Sequence, residues 1–292
     1  MYNKFLINYL YRSPEKTVSK FGIQIRKIIN PLIRFAMPFT TKTKLKVLRR
    51  ADIPDNRPII FAATHGFKED IIDTLITVNR QAYILIGSLS QVFKSSEGIA
   101  AWLAGTILVD RSNKESRINS KAKMVRVLNL GGNIIIFPEG TWNKSPNLMS
   151  NGLFPGVYDI AKATGALVAP VATHREEKYV YAILDDVFDI TQFDRQTGIT
   201  ILRDKFSTLR YEMMDKYSRA KRDEFPFADK ADAYWKKYID DLMAEVEFYD
   251  YEEELHTKFI DKNIIEYSQA FEHLNNIKPN LQTAFLFNKR LK

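Results

Sequence analysis

Short apolar runs alternate with helix-length segments over residues 58–184, and this alternation constrains the fold more than any other feature. Runs long enough for buried strands occur at 59–63, 82–87, 106–109, 133–137 and 167–172, with a further candidate at 179–184. Segments that favour helices lie between them, at 70–79, 91–103, 115–130 and 156–164. The alternation predicts an α/β domain with a mixed, largely parallel sheet flanked by helices.

The first 50 residues carry the positive charge of the chain. They hold 12 Lys and Arg residues against one acidic residue, Glu15, whereas all 292 residues have a net charge of +8. From Val18 to Phe39, apolar residues recur at steps of three and four, as on an amphipathic helix. The pattern predicts an N-terminal amphipathic helical pair. Two compatible interpretations stay open: the pair lies on an anionic membrane surface, or it caps the domain core.

These patterns divide the chain into three predicted regions. Residues 1–50 form basic membrane-associating helices, residues 51–195 form the α/β domain, and residues 196–292 form a helical C-terminal extension. No uncharged stretch reaches the roughly 18–20 residues that a membrane span needs. A nucleic-acid-binding domain usually spreads positive charge over a folded face. Charge confined to one terminal segment therefore predicts no nucleic-acid partner.

The available residue types limit the chemistry of the chain. It has no cysteine, which excludes disulfides, thiolate nucleophiles and cysteine-based zinc sites. Its histidines are His65, His174, His256 and His273, so candidate imidazole bases are few. No metal site is predicted.

The strand predicted at 59–63 leads into a segment that carries a histidine and an acid, Thr64-His65-Gly66-Phe67-Lys68-Glu69-Asp70. Ligands of α/β sheets usually bind at such strand ends. A neutral imidazole can take a proton from an alcohol that attacks a carbonyl, and a carboxylate on its other nitrogen stabilises the imidazolium. We therefore predict a His65–Asp70 dyad. Glu69 and Asp73 are alternative acids, and a solvated histidine beside a helix-capping acid is the structural alternative.

Three further strand ends carry groups that suit a substrate site. After the run at 133–137, Glu139 can accept hydrogen bonds from hydroxyls, Gly140 permits close approach of a ligand, and Thr141 can donate. After the run at 106–109, Arg111 can bind a phosphate bidentately. The fourth strand end is 168–171, where Pro170 suggests a shaped wall. Each segment alone also fits an ordinary turn or salt bridge.

The four segments, taken in order, resemble the glycerolipid acyltransferases, typified by lysophosphatidic acid acyltransferase. The matching blocks are His65-x4-Asp70, Gly105-x4-Asp110-Arg111, Phe137-Pro138-Glu139-Gly140-Thr141 and Val168-Ala169-Pro170-Val171. The resemblance implies that His65 is the general base and that Asp70 orients it. It also implies that Arg111, Glu139 and Gly140 bind the acceptor, with Arg111 on its phosphate.

The resemblance implies a complete reaction. A fatty acyl group passes from the thioester of acyl-CoA or acyl carrier protein to a hydroxyl of a lysophospholipid such as 1-acylglycerol-3-phosphate. These thioesters are co-substrates, and no bound cofactor is implied. Because members often carry an N-terminal membrane-associated helical pair, the expected location is peripheral, on the cytoplasmic face of the cell membrane, in contact with anionic lipids.

Two positions depart from the family pattern. Thr64 stands where the family usually has Asn, and Trp142 stands where it usually has an Arg associated with the acceptor phosphate. Lys68 or Lys144 is a substitute cation for that Arg. Alternatively, the acceptor is a different glycerolipid or a glycolipid. A non-catalytic lipid-binding paralogue is the remaining alternative, which the intact dyad disfavours.

Overall fold

One mixed sheet occupies the centre of the described part of the chain. The computed structural model describes residues 2–87, 96–145, 148–218 and 228–244. Strands β6, β2, β5, β3 and β4 are parallel neighbours, whereas β7 runs antiparallel to β6 and pairs in parallel with β1. The sheet order is β1-β7-β6-β2-β5-β3-β4. The strands are β1 (Lys44–Arg50), β2 (Ile59–Ala63), β3 (Tyr83–Ile86), β4 (Thr106–Leu108), β5 (Ile134–Ile136), β6 (Leu167–Glu176) and β7 (Tyr179–Leu184).

Helices flank this sheet, which confirms the predicted fold class. They are α1 (Tyr2–Tyr11), α2 (Pro14–Thr17), α3 (Lys20–Ala36), α4 (Asp70–Val78), α5 (Ser96–Gly105), α6 (Lys114–Asn129), α7 (Gly156–Thr164), α8 (Arg195–Tyr217) and α9 (Ala228–Ala244). Each predicted strand and helix has a counterpart, although residues 91–95 of the second predicted helix lie outside the described residues. The sequence pattern missed β1.

The missed strand β1 lies at an edge of the sheet, beside β7. Lys44, Lys46 and Arg49 on it are exposed, so the strand lacks the apolar run that marks a buried one. Charged residues on an edge strand also discourage pairing with other chains. β1 thus belongs to the sheet although it falls in the predicted segment 1–50. The predicted three-region division of the chain stays a prediction.

The central strand β2 shows why helices cover both faces of the sheet. All five of its residues are buried. Ile59, Phe61 and Ala63 join a core that includes α4 and α5, whereas Ile60 and Ala62 join a core that includes α6, α7 and α8. Successive strand residues point to opposite faces, so a continuous apolar run requires cover on each side.

The N-terminal helices have one face against the domain and one face exposed. Leu10, Val18, Ile23 and Ile33 are buried within the two cores. These contacts support the interpretation of a cap on the core. Among the described helices, none combines the length and the hydropathy that a membrane crossing requires.

Phe206 tests whether α8 is part of the core. The ring is fully buried among residues of α6, α7 and the sheet. Phe206→Ala removes that packing, and we expect the free energy of unfolding to fall by about 3–5 kcal/mol in urea denaturation. Tyr211→Ala is the matched control, because Tyr211 lies on the same helix with its side chain exposed. Its effect should stay within about 0.5 kcal/mol. Equal losses in the two variants would contradict the placement of α8.

Candidate active site

The predicted site residues gather where the parallel strands end, along the carboxyl-terminal side of the sheet. Strands β2, β5 and β4 belong to its parallel part, so their carboxyl ends face the same way. His65 follows β2, Glu139 and Gly140 follow β5, and Arg111 follows β4. Such an edge is where α/β sheets usually bind ligands.

His65 and Asp70 are in direct contact. Nδ1 of His65 lies 3.0 Å from Oδ1 and 2.9 Å from Oδ2 of Asp70. An ionised carboxylate can only accept, so Nδ1 carries the proton of the neutral ring and the lone pair lies on Nε2. The Asp70 side chain is fully buried, whereas 17% of the His65 side chain is exposed. This arrangement places a partly exposed imidazole against a buried carboxylate.

The turn between the two residues is built around the same carboxylate. Oδ2 of Asp70 also accepts hydrogen bonds from the backbone N–H of Gly66 at 2.7 Å and of Phe67 at 3.1 Å. Asp70 is the first residue of α4, where the helix dipole favours a negative charge. Thr64 ties the start of the turn to β6, because its hydroxyl accepts from the backbone N–H of Thr173 at 3.0 Å.

The two alternative acids have other environments. Glu69 pairs with Nη1 of Arg175 at 3.2 Å. Asp73 is buried, and its pKa is raised to about 8 by this burial first and then by the negative charges of Asp70 and Glu69. Asp73 therefore keeps its proton near neutral pH. Of the three acids, the structure brings Asp70 to the imidazole.

The other described histidine has a different neighbourhood. Nε2 of His174, on β6, lies 3.1 Å from the hydroxyl of Ser218 and 3.7 Å from a carboxylate oxygen of Glu176. It is also buried. His256 and His273 lie outside the described residues.

Glu139 contacts the backbone of two loops that are called the site loops from here on: the turn that follows β2 and the loop that follows β5. It is only 3% exposed. Its Oε1 accepts from the backbone N–H of His65 at 3.2 Å, and its Oε2 accepts from that of Asn151 at 2.9 Å. Burial raises the pKa of Glu139, while Arg210 and the two backbone hydrogen bonds lower it. Each oxygen thus accepts one hydrogen bond from the backbone, and the predicted role of Glu139 toward acceptor hydroxyls stays a prediction.

Gly140, in the loop after β5, contacts Arg111, which follows β4. Its φ of +69° lies in the left-handed region, and an added Cβ would lie 2.4 Å from the ring of Phe154. Glycine is therefore required for two reasons. The carbonyl of Gly140 accepts a hydrogen bond from Nη1 of Arg111. This contact brings Arg111 to the loop that contacts His65.

Aromatic rings surround the imidazole of His65. The ring centroid of Phe137 lies 4.6 Å away, and that of Trp142 lies 6.0 Å away with an edge-on interplanar angle of 87°. Nζ of Lys144 lies 5.9 Å from the Trp142 ring. Of the remaining predicted residues, Thr141 directly precedes Trp142 and Lys68 lies within the first turn, both partly buried.

Sequence reasoning missed several contacts that hold the site. The backbone N–H of Asn143 donates to the carbonyl of His65 at 2.7 Å, and Asn151 donates to Glu139 as described. Backbone donors leave no side-chain signal in a sequence. Arg175 and Arg210 were also missed. They lie far along the chain, on β6 and α8, and only the packing of these elements brings them near the site.

Within the residues that the structure describes, no three His, Asp or Glu side chains are grouped to hold a metal ion.

Comparison with known proteins shows which family this region resembles. Residues 44–174 match the family model described as Acyltransferase. A 1-acyl-sn-glycerol-3-phosphate acyltransferase of Haemophilus influenzae is 27% identical over 124 residues, which cover 40% of this chain and 49% of the relative. One from Chlamydomonas reinhardtii is 24% identical over 129 residues, covering 44% of this chain and 38% of the relative. The chain thus spans about half the length, or less, of these curated relatives.

A solved structure shares the fold. The crystal structure of the 1-acyl-sn-glycerophosphate (LPA) acyltransferase PlsC from Thermotoga maritima matches with a TM-score of 0.53 and 18% sequence identity. The match covers 75% of this chain and 90% of that chain. All four sequence blocks lie within or at the family match. Residues 44–174 of this chain thus match the Acyltransferase family model, and the chain resembles the glycerolipid acyltransferases typified by lysophosphatidic acid acyltransferase.

Proposed function

We propose that this protein transfers a fatty acyl group from an acyl thioester to a hydroxyl of a lysophospholipid such as 1-acylglycerol-3-phosphate. The observation that carries this proposal is the hydrogen-bonded His65–Asp70 pair at the sheet edge of an acyltransferase-family domain. The names of the two curated relatives support the acceptor class.

The dyad supplies a general base for this reaction. Nε2 of His65 takes the proton of the acceptor hydroxyl as its oxygen attacks the thioester carbonyl carbon. The tetrahedral oxyanion collapses, the carbon–sulfur bond breaks, and the imidazolium returns its proton to the leaving thiolate. Asp70 holds the proton on Nδ1 and stabilises the imidazolium. The step needs no covalent acyl-enzyme and no bound cofactor, with acyl-CoA or acyl carrier protein as the donor.

Cations near the dyad are the proposed contacts of the acceptor phosphate. Arg111 is partly exposed at the same sheet edge and donates to Gly140. A guanidinium can engage phosphate oxygens bidentately. Lys68 and Thr141, in the loops on either side of His65, are further acceptor contacts. Glu139, whose oxygens accept from two backbone amides, acts as a positioning residue.

Trp142 favours a second candidate acceptor. Its ring lies edge-on to that of His65, in the position where the related enzymes are expected to carry Arg. An indole offers a surface for a sugar or an acyl chain, and Lys144 beside it offers a positive charge. A glycolipid, or a lysophospholipid with a larger head group, is therefore the alternative. The intact His65–Asp70 pair disfavours a non-catalytic lipid-binding role.

The exposed face of α3 is the proposed membrane contact. Apolar side chains recur on it at the helical period and are between 65% and 79% exposed: Phe21, Ile28, Leu32 and Phe35 on α3, and Phe39 in the short 3-10 turn that follows it. Contiguous exposed apolar residues mark interaction sites. Lys20 and Lys27 are exposed on the same helix and suit anionic lipids. We infer a peripheral protein on the cytoplasmic face of the cell membrane.

Removal of the imidazole tests the proposed reaction. His65→Ala should lower turnover of acyl-CoA with lysophosphatidate by roughly 10²-fold or more, because the general base is lost. The measurement is thiol release. His174→Gln is the control, since it changes a buried histidine that contacts Ser218 rather than Asp70. Undiminished turnover in His65→Ala would refute the dyad.

Arg111→Ala tests the phosphate contact. The KM for lysophosphatidate should rise by about tenfold, the value of one lost charge-assisted hydrogen bond. The KM for monoacylglycerol, which lacks the phosphate, should stay unchanged in the same variant. An equal loss for the two acceptors would instead assign Arg111 to its contact with Gly140.

The paired substitution Ile28→Ser and Phe35→Ser tests the membrane contact. Because both side chains are more than 70% exposed, the fold should be retained. Each large apolar side chain is worth about 1.5–3 kcal/mol when buried, so binding to vesicles with anionic phospholipid should fall at least about tenfold. Ile118→Ser, at another exposed isoleucine on α6, is the control in the same sedimentation measurement. Equal binding of both proteins would leave α3 as a cap alone.

A further inference from the structure

Helix α8 contacts the loop that follows β5. Arg210 donates from Nη1 to the carbonyl of Met149 at 2.8 Å, and Arg203 donates from Nε and Nη2 to the carbonyl of Ser150 at 3.4 and 3.2 Å. The two arginines are seven residues apart, so they lie on one face of the helix. Their acceptors directly precede Asn151, whose N–H donates to Glu139.

Arg210 also acts on Glu139 through its charge. Burial raises the pKa of Glu139, and Arg210 is the largest influence that opposes this rise. His65 is the other charged or titratable group that lowers the pKa of Glu139. An ionised carboxylate accepts at both oxygens, as the backbone N–H groups of His65 and Asn151 require. The charge of Arg210 therefore supports the contact between Glu139 and the backbone of His65.

Helix α9 contacts the loop that follows β2. The hydroxyl of Tyr238 donates to the carbonyl of Arg175 at 3.5 Å, and the Arg175 guanidinium pairs with Glu69. Glu69 immediately precedes Asp70 at the start of α4. Tyr238 also packs in a small cluster with Phe67, whose N–H donates to Asp70. A small cavity lies where β6, α8, α9 and both loops meet.

We propose that α8 and α9 position the two site loops against each other, and that Arg210 is a positioning residue that acts on His65 through Glu139. The two helices reach the loops through separate contacts: Arg210 and Arg203 hold the loop after β5, while Tyr238 holds the turn after β2 through Arg175 and Phe67. This gives a role to helices α8 and α9 in the described part of the C-terminal region. The activity readout rests on the proposed acyl transfer, whereas the loop contacts do not.

Arg210→Met is the main test, with Arg210→Lys and Arg195→Met beside it. Arg195 is the matched control, because it lies on the same helix and forms an exposed pair with Asp159. Misplacing a catalytic group from a distance can cost about 10²-fold in rate, so kcat for acyl transfer should fall about 10- to 100-fold in Arg210→Met. KM for the acyl thioester should not change. Arg210→Lys keeps the charge and should recover most of the kcat.

Amide hydrogen exchange gives a readout that needs no activity. In Arg210→Met, the N–H groups of His65 and Asn151 should exchange faster than in Arg195→Met, because Glu139 holds them less firmly. If the unaltered protein shows no acyl transfer, the proposed function fails while exchange still tests the positioning. Equal exchange and equal kcat in the two variants would overturn the proposal.

A second variant covers the case in which Arg210→Met does not fold. Tyr238→Leu removes the hydroxyl that donates to Arg175 and keeps an apolar side chain near Phe67. Faster exchange of the Gly66 and Phe67 amides, with a lower kcat, is the expected result. Exchange and kcat equal to those of the unaltered protein would overturn the role of α9 and, with it, the proposal.

Discussion

The site depends on the hydrogen bonds that the carboxylate of Asp70 accepts. A buried anion costs several kcal/mol unless nearby donors compensate it. Here one oxygen accepts from the His65 ring and from two backbone N–H groups, and the helix that begins at Asp70 adds its dipole. The same contacts select the tautomer of His65, shape the turn after β2 and place the start of α4. Chemistry and local fold therefore share one set of hydrogen bonds.

Around this carboxylate, each buried charge has a defined state or partner. Glu69 is paired with Arg175, Asp73 keeps its proton near neutral pH, and Glu139 accepts from two backbone amides near the charge of Arg210. A parallel sheet delivers several strand ends to one edge, which is how residues 74 positions apart, His65 and Glu139, come into contact. Because an unpaired buried charge is costly, these closely packed polar groups favour the one arrangement of side chains in which each charge is paired or neutralised.

The sequence predicted the parts of this arrangement that leave local or periodic signals. The apolar run at 59–63 indicated a fully buried strand, and five residues of separation sufficed to propose His65 with Asp70. Strand β1 was missed because exposed Lys and Arg residues on an edge strand resemble a loop pattern. The sequence predicts Glu139 as a site residue but not its contacts with two backbone amides, because a sequence does not show which backbone groups a buried carboxylate meets.

The α/β class, the order of the strand ends and the residue types available for acid–base chemistry can be inferred from the amino-acid sequence, because periodicity reports burial and composition limits reactivity. The folded arrangement is needed to see that Asp70 reaches the imidazole, that Arg111 contacts Gly140, and that Arg175 and Arg210 contact the loops of the site. The physical reason is that these contacts join residues from separate strands and helices. Their partners depend on sheet order and helix packing, which no local pattern in the chain specifies.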